Sequence, residues 1–589
     1  MKFKPSKPSE VTLAGLCIIF SNSCTSTEPS SSTAPKLSDR ANCALPKSHL
    51  DWTSSRPPKL VFISIDSLNA AGLEEYVGKF SSPHPDGFKK ILNNANKNSS
   101  LSIANPTITA SSHTSTITCS SAEKHGVFAN SQWNGEKMVS GFNTPIQTET
   151  FASTLAKHRL KVVTAGYPAL DNSEQGRQVS AGFAYGDVYS QSAILKLEKQ
   201  STIQHSWKDN SGKEIAMVSI DSEKNNKLLV KCLDERCKVM DRLASGLVPL
   251  ELFSNKRRST AYIVPLDENL RQVYVSQVAS NISFPESTAT SLDECGIIFS
   301  PGKDTSLSKF GAKALVAGME HRLNFFRDAW SRFLPSTNAD AIFLYLEDLD
   351  ALRHQFAGDP AADTTVVKHL EKVDQLLGEF LSSLPKATNV VIMGDHGMST
   401  VQREINIRKI LPKETLENAL MVTSGGALLV YGRHSQSGKS ISSNPSAADQ
   451  KWLQDAKKAL EKFRVDSNSP PVFEQVLIKN SKEMKAAGLN HPQAPYLIAF
   501  ANEIFSLQNS LEEKLILADL KSSPASTPRP RGQHGHFNQN PSMKSFLSIW
   551  GPQLNQVDAS SIKANLDVVP AIAGALAWPL PDQCAGRQR

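Results

Sequence analysis

Three apolar runs that each end in an acidic residue constrain this chain more than any other feature of its sequence. They are "KLVFISID", ending at Asp66, "AIFLYLEDLD", ending at Asp350, and "NVVIMGDHG", which contains Asp395. Continuous apolar runs of this length predict strands that are buried on both faces of a parallel sheet. Because ligands bind where such strands end, the three acids are expected to gather at one edge of the sheet.

Segments with helical spacing lie between these strands. In "TTVVKHLEKVDQLLGEFLSSL", apolar residues recur every three or four positions from Val366 to Leu384. "TFASTLAKHR" predicts a helix that leads into the strand-like "LKVVTAGYP". This alternation predicts an α/β fold with a mostly parallel central sheet and helices on both faces.

The first residues predict an export signal. Lys2, Lys4 and Lys7 precede the apolar run 11–20, which is too short to span a bilayer as an ordinary helix. "SNSC", ending at Cys24, resembles the end of a bacterial lipoprotein signal, with a plain cleaved signal or a disordered tail as the alternatives. We therefore expect an export signal over 1–24, a Ser/Thr/Pro-rich tether over 25–57, and a periplasmic or membrane-anchored extracytoplasmic protein with a lipid anchor on Cys24.

Two excursions interrupt the predicted α/β pattern. Short strand-like runs such as "EIAMVSID", "KLLVKCL", "STAYIVPL" and "QVYVSQV" predict a β-rich insertion over 186–308. "NALMVTSGGALLVYG", "ADQKWLQDAKKALEKF" and "PYLIAFAN" predict a small α+β lobe over 413–524. The catalytic core is then assigned to 58–185, 309–412 and 525–589.

Charge and cysteine content limit the class of protein. The net charge of +7 is small for 589 residues, and without a long basic block it does not suggest nucleic acid as a bulk partner. An even number of cysteines after the signal fits an oxidising compartment. Cys232 and Cys237 lie in the hairpin-like "KLLVKCLDERCKVM" and predict a local disulfide, with two buried thiols as the alternative.

Histidines accompany the acids at the strand ends. His354 follows Asp350 by four residues, which one helical turn could aim the same way, and His396 follows Asp395 directly. His534 lies in the glycine-flanked turn "RGQHGHF". Carboxylate and imidazole ligands together suit zinc and are compatible with manganese or iron. Each residue alone is a weak signal, but the ordered set predicts a metal centre.

These motifs together resemble a known family. "FISIDSL", "NPTITASSHTSTITCSSAEKHGVFAN", "LYLEDLDALRH", "VIMGDHGM" and "GQHGH" are similar to the type I phosphodiesterase/nucleotide pyrophosphatase branch of the alkaline phosphatase superfamily. The resemblance covers about 59–168, 340–411 and 529–582 and implies an alkaline phosphatase-like core. It implies two divalent ions, zinc above all. One metal would be held by Asp66, Thr109, Asp395 and His396, and the other by Asp350, His354 and His534. The resemblance also implies that Thr109 is the nucleophile, that Asn130 contacts a phosphoryl oxygen, and that Tyr345 lines the substrate pocket.

The nucleophile segment holds other hydroxyl groups and histidines. We expect Thr114, Thr116 and Thr118 to belong to the helix behind Thr109, and His113 and His125 to support that helix. His536 could neighbour the site or stabilise its turn.

Some residues depart from the family pattern. Ala110 stands where nucleotide-cleaving relatives carry an aromatic residue, and Ser111 and Ser112 replace Pro-Asn. Leu349 replaces a proline, and Arg353 replaces a glycine. Arg353 could contact a substrate phosphate or be a surface arginine, and the second interpretation is favoured. The departures leave the predicted metal and nucleophile positions intact but weaken the expectation of a nucleotide substrate.

The resemblance implies hydrolysis of a small phosphodiester or pyrophosphate through a phospho-threonine intermediate, with ions that lower the pKa of bound oxygen nucleophiles. A phosphomonoesterase or phosphonate hydrolase is the alternative, although the nucleophile motif lacks the arginine that a doubly charged phosphoryl group would call for. A catalytically dead, surface-tethered binding protein is the third hypothesis. A sulfatase is least favoured, because the Cys/Ser-x-Pro-x-Arg motif is missing.

Overall fold

The structure is a computed structural model that describes residue 52 and residues 56–587. Within that span the described residues exclude 172–175, 189, 198–201, 210, 223–227, 244–245, 255–256, 268, 286, 289–291, 293–294, 296, 298–304, 358–362, 434–443 and 521–530. The predicted signal over 1–24 and nearly all of the predicted tether over 25–57 lie outside the described residues.

The described strands follow in chain order. They are β1 (Leu60–Ile65), β2 (Lys97–Leu101), β3 (Ser131–Trp133), β4 (Met138–Ser140), β5 (Val162–Ala165), β6 (Ala181–Val188), β7 (Ala193–Lys196), β8 (Thr202–Lys208), β9 (Glu214–Ser222), β10 (Leu228–Cys232), β11 (Cys237–Val239), β12 (Val248–Ser254), β13 (Arg257–Pro265), β14 (Gln272–Val275), β15 (Ala279–Phe284), β16 (Ala341–Leu346), β17 (Asn389–Met393), β18 (Ser399–Thr400), β19 (Arg403–Asn406), β20 (Ala419–Ser424), β21 (Ala427–Gly432), β22 (Phe473–Ile478), β23 (Leu497–Ala501), β24 (Phe505–Gln508), β25 (Ile516–Asp519), β26 (Gly532–Gln533) and β27 (Ser545–Trp550).

The described α-helices are α1 (Ala70–Val77), α2 (Phe88–Asn93), α3 (Thr109–Thr118), α4 (Ala122–His125), α5 (Phe151–Lys157), α6 (Ala312–Asp328), α7 (Leu334–Ser336), α8 (Asp348–Phe356), α9 (Asp363–Ser383), α10 (Lys413–Asn418), α11 (Ala447–Lys462), α12 (Lys482–Ala486) and α13 (Val568–Leu576). A π-helical turn, Ala329–Phe333, joins α6 to α7. Short 3-10 helices occupy Gly141–Asn143, Thr305–Phe310, Ile407–Lys409, Pro541–Met543, Leu554–Gln556, Ala559–Ser561, Asn565–Asp567 and Asp582–Arg587.

A central sheet organises the core, and its strand order is β11-β12-β13-β15-β6-β5-β16-β1-β17-β27-β2. The five strands from β6 to β17 are parallel to their neighbours, and β27 and β15 pair antiparallel at either side. Every residue of β1, β16 and β17 is buried, as expected for strands covered on both faces.

Helices cover both faces of this sheet. Successive residues of β1 point to opposite faces, so β1 contributes to an apolar cluster on each side. Val61 and Ile63 belong to an apolar cluster that includes residues of α6 and α9. Leu60 and Phe62 belong to a second cluster that includes residues of α5 and α13. The predicted α/β class, with a mostly parallel central sheet and helices on both faces, is confirmed.

Strands β7 to β15 lie within the predicted β-rich insertion. The runs "EIAMVSID", "KLLVKCL", "STAYIVPL" and "QVYVSQV" correspond to β9, β10, β13 and β14. Strands β8 to β10 form a separate antiparallel sheet, whereas β11 to β13 extend the central sheet through β15. One apolar cluster, which includes Trp207, Val218 and Leu250, joins the two sets of strands. The boundaries 186 and 308 stay predictions.

The predicted α+β lobe contains a four-stranded antiparallel sheet with the order β20-β21-β23-β22. Helix α11 covers this sheet with Trp452, Leu453, Ala456 and Leu460. The other face of the sheet contacts the nucleophile segment, because Leu429 and Phe500 share a cluster with Ile108. The lobe is therefore packed directly on the segment that carries the candidate site.

Two disulfides join described cysteines to one another, and Cys295 is disulfide-bonded as well. Cys232–Cys237 closes the hairpin in which a local bridge was predicted. Cys119–Cys584 joins the residue after α3 to a cysteine 465 positions later. The long-range bridge attaches the C-terminal segment to the end of the helix that begins at Thr109.

The double variant Cys119→Ser/Cys584→Ser is expected to lower the free energy of unfolding by roughly 2–5 kcal/mol, because the bridge closes a very long loop in the unfolded chain. Cys232→Ser/Cys237→Ser is the matched control, and its shorter loop predicts a smaller loss. Thermal unfolding of both variants measures the difference. An equal or larger loss in the control would contradict the expected dependence on loop length.

Among the described residues, every helix is too short or too polar to cross a membrane.

Candidate active site

The three acids at the strand ends lie at the same edge of the central sheet. Asp66 follows β1 directly, Asp395 lies two residues after β17, and Asp350 is in the first turn of α8 after β16. Strands β16, β1 and β17 are neighbours in register, with Ile65 opposite Leu346 and Ser64 opposite Met393. The parallel pairing therefore brings together residues that are up to 329 positions apart in the sequence.

Helix α3 begins at Thr109, and all of its residues are buried. Three later threonines, as expected, are helix residues whose hydroxyls donate to the carbonyl four positions earlier: Thr114 to Ala110 at 2.8 Å, Thr116 to Ser112 at 2.9 Å and Thr118 to Thr114 at 2.7 Å. Thr109 differs from these, because its Oγ1 lies 3.2 Å from His396 Nε2. The first hydroxyl of the helix is therefore directed at the acids and histidines.

Two groups of acidic and histidine side chains have ligand atoms within 4.8 Å of one another. One group is Asp66, Asp395 and His396, and the other is Asp350, His396 and His534. His396 Nε2 lies 3.3 Å from Asp66 Oδ1 and 3.2 Å from Asp395 Oδ2. His354 Nε2 lies 3.3 Å from Asp350 Oδ1, so His354 borders the second group.

Three of these histidines are oriented in the same way by backbone carbonyls. Nδ1 of His354 donates to Gly532 O at 2.8 Å, Nδ1 of His396 to Gly397 O at 3.0 Å, and Nδ1 of His534 to Thr107 O at 3.0 Å. Since a carbonyl oxygen can only accept, Nδ1 of each ring carries a proton, and Nε2 has a lone pair when the ring is neutral. The three rings are therefore oriented so that each Nε2 can bind a metal, and a backbone carbonyl on Nδ1 holds each ring in that orientation.

The electrostatics of the cluster fit bound cations. Asp66, Asp350 and Asp395 are only 2%, 4% and 1% exposed, so three carboxylates are withdrawn from water in one place. Buried like charges are costly without a compensating positive charge. Burial lowers the pKa of His534 well below its ordinary value, and the neighbouring His396 and His354 add to this effect. A neutral His534 cannot supply the compensating charge, whereas two divalent ions would.

Asn130 lies beside the start of α3. Its Oδ1 accepts a hydrogen bond from the backbone N–H of Ala110 at 2.9 Å, and its carbonyl accepts from Gly141 N at 2.9 Å. Because Oδ1 is occupied in this way, the Nδ2 amide is left to donate elsewhere. Asn130 is half-buried, so this donor is available next to Thr109.

Tyr345 is directed at a carboxylate of the cluster. Its hydroxyl donates a short hydrogen bond to Asp66 Oδ2, and the residue is only 4% exposed. The ring lies edge-on to His113, with ring centroids 5.3 Å apart. In this structure the residue that was predicted to line the substrate pocket holds a candidate metal ligand in position.

The predicted supporting histidines are buried around α3. His113 Nδ1 donates to Thr109 O at 2.8 Å, and its Nε2 accepts from Ser64 Oγ at 2.8 Å. Burial lowers the pKa of His113, so the ring is neutral in this arrangement. His125 Nε2 pairs with Ser115 Oγ at 2.9 Å. Both histidines support the helix, as expected.

Arg353 is half-buried and bonds to the loop after β1. Its Nη1 donates to Ser67 O at 2.8 Å and to Asn69 Oδ1 at 3.2 Å. These acceptors draw the guanidinium onto the loop after β1, and the favoured interpretation as a surface arginine stays a prediction. His536 has the turn-stabilising role that was considered for it, since its Nδ1 donates to Ala501 O at 3.0 Å.

Sequence reasoning did not find the carbonyl groups that orient the histidines. Gly397, Gly532 and Thr107 contribute only backbone oxygen to these contacts. A backbone acceptor has no residue-type signature, so the spacing of side chains could not reveal it. The glycines around His396 and His534 are the only sequence signal of this close backbone approach.

Comparisons with known proteins identify the family. The model of the type I phosphodiesterase / nucleotide pyrophosphatase family matches residues 60–537. Among solved structures, murine ectonucleotide pyrophosphatase/phosphodiesterase 5, as an inactive variant in complex with AMP, is similar with 14% identity and a TM-score of 0.49, over 89% of this chain and 96% of that one. The human protein of the same name has 14% identity and a TM-score of 0.48, over 89% and 96%. No curated protein matches this chain in sequence. Since the family model covers most of its length, the chain belongs to the type I phosphodiesterase/nucleotide pyrophosphatase family of hydrolases.

Proposed function

We propose that this protein is an exported, metal-dependent phosphodiesterase or pyrophosphatase that acts through a phospho-threonine intermediate on Thr109. One observation carries the proposal: three histidines place Nε2 lone pairs beside three buried carboxylates, and the Thr109 hydroxyl lies 3.2 Å from one of those nitrogens. A buried site of this composition next to a hydroxyl suits transfer of a phosphoryl group.

The residues divide into two ligand sets for zinc, which mixed carboxylate and imidazole donors suit. Asp66, Thr109, Asp395 and His396 would hold one ion; Asp350, His354 and His534 would hold the other. When bound, the ions would lower the pKa of oxygen nucleophiles and neutralise charge on the phosphoryl group.

In the first step Thr109 Oγ1 attacks phosphorus, a phosphorus–oxygen bond to threonine forms, the bond to the leaving oxygen breaks, and the threonine proton passes to that leaving oxygen. Water then attacks the same phosphorus and releases the threonine hydroxyl. Thr109 is the first residue of α3, so the partial positive charge of the helix N-terminus faces the phosphoryl oxygens. The Asn130 amide would donate a hydrogen bond to one of them.

A diester or pyrophosphate is favoured over a monoester as the substrate. The nucleophile segment "TASSH" contains no arginine or lysine to meet the second negative charge of a monoester. The test is to compare hydrolysis of an aryl phosphodiester and the matching aryl monoester by the zinc-loaded protein. Faster hydrolysis of the diester supports the proposal, and faster hydrolysis of the monoester would replace it by a phosphomonoesterase.

The residue after Thr109 offers no platform for an aromatic base. Ala110 is 2% exposed. A Cβ added at Gly141 would lie 3.2 Å from the Ala110 Cβ, so the loop at Gly141 packs against this side chain. These contacts support a substrate class that does not depend on stacking at position 110.

Asn130→Ala is expected to lower kcat by about 10²–10³-fold, because one preorganised donor to the transition state is lost. Steady-state kinetics on an aryl phosphodiester measure the change. Asn134→Ala is the matched control, since Asn134 is exposed and its Oδ1 only caps the turn at Glu136 and Lys137. Equal kinetics in the two variants would argue against the role of Asn130.

Export with a lipid anchor on Cys24 is part of the proposal. The disulfides Cys119–Cys584 and Cys232–Cys237 support an oxidising compartment. Fractionation of producing cells, with Cys24→Ala as the comparison, tests it. Recovery of the unaltered protein in the membrane fraction and release of the variant are expected, and retention of both in the cytoplasm would contradict export.

A further inference from the structure

A glycine turn of the α+β lobe rests on the loop that carries His534. The turn Gly425–Gly426 joins β20 to β21. Gly426 N donates to His534 O at 2.8 Å. On its other side, Gly426 O accepts from the N–H of Ala501, the last residue of β23, at 2.8 Å. Ala501 O in turn accepts from His536 Nδ1 at 3.0 Å. The lobe thus binds the backbone of His534 and the side chain of His536.

The two backbones touch so closely that only glycine fits in the turn. A Cβ at Gly425 would lie 2.2 Å from His534 O, and the φ angle of +59° already disfavours a side chain. A Cβ at Gly426 would lie 2.3 Å from His536 Nδ1. A side chain at Gly425 must therefore displace the backbone of His534, and a side chain at Gly426 must displace the His536 ring.

The opposite side of the same loop is fixed by Thr107 from the nucleophile segment. Thr107 O accepts from His534 Nδ1 and from Gly535 N, both at 3.0 Å. Thr107 Oγ1 donates to His536 O at 2.7 Å. The loop that carries His534 is therefore hydrogen-bonded to the nucleophile segment on one side and to the lobe on the other.

We propose that the Gly425–Gly426 turn is a positioning element through which the lobe sets the place of His534 and thereby the cation affinity of the Asp350–His354–His534 group. The inference rests on the proposed function, since it takes that group as a cation site. Asp66 and Asp395 come from the ends of β1 and β17, so the other group has two ligands that do not depend on the lobe.

The test is a calorimetric titration of the metal-free protein with Zn²⁺. Asp350→Asn first identifies the binding step that belongs to the Asp350–His354–His534 group. Gly425→Ala is then expected to weaken that step by about 10–100-fold, as is typical when an outer contact of a metal ligand is lost. The other step should change much less, and excess Zn²⁺ should restore much of the hydrolysis.

Gly212→Ala is the matched control for Gly425→Ala. Gly212 also has a positive φ, +86°, but a Cβ there meets no atom within 4 Å. This control carries the backbone strain without the contact to His534, so its titration should equal that of the unaltered protein. Gly426→Ala is the second variant if Gly425→Ala does not fold, because its Cβ displaces the His536 ring, on the same loop as His534, and not a backbone atom.

Two results would overturn the inference. One is a folded Gly425→Ala or Gly426→Ala protein that binds both ions as the unaltered protein does. The other is equal weakening in Gly212→Ala, which would make the effect general destabilisation. If the unaltered protein binds no divalent ion, both the proposed function and the inference fail. If it binds both ions and the glycine variants bind them equally well, only the inference fails.

Discussion

Thr109→Ala is expected to lower phosphodiester hydrolysis by about 10⁴–10⁶-fold, the range seen when a covalent nucleophile is removed from an enzyme. The Thr109 hydroxyl is the one threonine hydroxyl of α3 that faces the acids and histidines, at 3.2 Å from His396 Nε2. Its removal deletes the group that would bond to phosphorus but leaves Asp66, Asp350 and Asp395 in place. Single-turnover and steady-state kinetics on an aryl phosphodiester, with metal analysis alongside, measure the effect.

Thr114→Val is the matched control for this variant. It also removes one buried hydroxyl from α3, but Thr114 Oγ1 donates only to Ala110 O within the helix. Activity within a few fold of the unaltered protein is expected, because valine keeps the shape of threonine. Substantial turnover in Thr109→Ala, with both ions bound, would mean that water or another group attacks phosphorus directly.

Removal of divalent ions with a chelator is expected to abolish hydrolysis and to destabilise the fold. Three carboxylates that are at most 4% exposed would then repel one another without the positive charge of the ions. Each ion that binds only the folded chain adds about 2.7 kcal/mol at a hundred times its Kd. The expected result is a lower Tm for the metal-free protein, which Zn²⁺ restores together with activity.

The control for chelation is the Asp350→Asn variant, which lacks one carboxylate of the cluster. Its Tm should fall less on metal removal, because fewer like charges are left facing one another. Calorimetric scans with and without chelator, at matched ionic strength, measure both proteins. An unchanged Tm and full activity in metal-free protein would contradict the proposed metal centre.

The central strands and helix α9 could be predicted, because a buried element contains apolar residues in a pattern that the sequence shows directly. β1, β16 and β17 are covered on both faces, and such strands need unbroken apolar runs that a sequence shows directly. α9 was predicted from the helical spacing of its apolar residues, and the structure has it as Asp363–Ser383. The strands of the β-rich segment were also predictable, but their joining to the central sheet through β15 was not, because pairing partners leave no local pattern.

The candidate site could be predicted in part for a similar reason. Side chains with metal-ligand chemistry at strand ends are visible in the sequence, and the α/β order implies that they meet. The contacts of Tyr345 with Asp66 and of Arg353 with Ser67 could not be predicted, since either side chain could equally have turned toward solvent or substrate. Only the packing around each side chain decides between those directions.

The sequence by itself determined the fold class, the segment that carries the proposed nucleophile, and the residue types that gather near it. Local periodicity and residue chemistry were sufficient for the fold class and the residue types, whereas the proposed nucleophile came from the resemblance of its motif to the family. The tertiary structure alone decided how the histidines are aimed and which lobe holds them. His534 is oriented by the carbonyl of Thr107, 427 residues away, and braced by the glycine turn at 425–426. Backbone groups are the same in every residue, so contacts between them are specified by the folded chain as a whole and not by any local run of side chains.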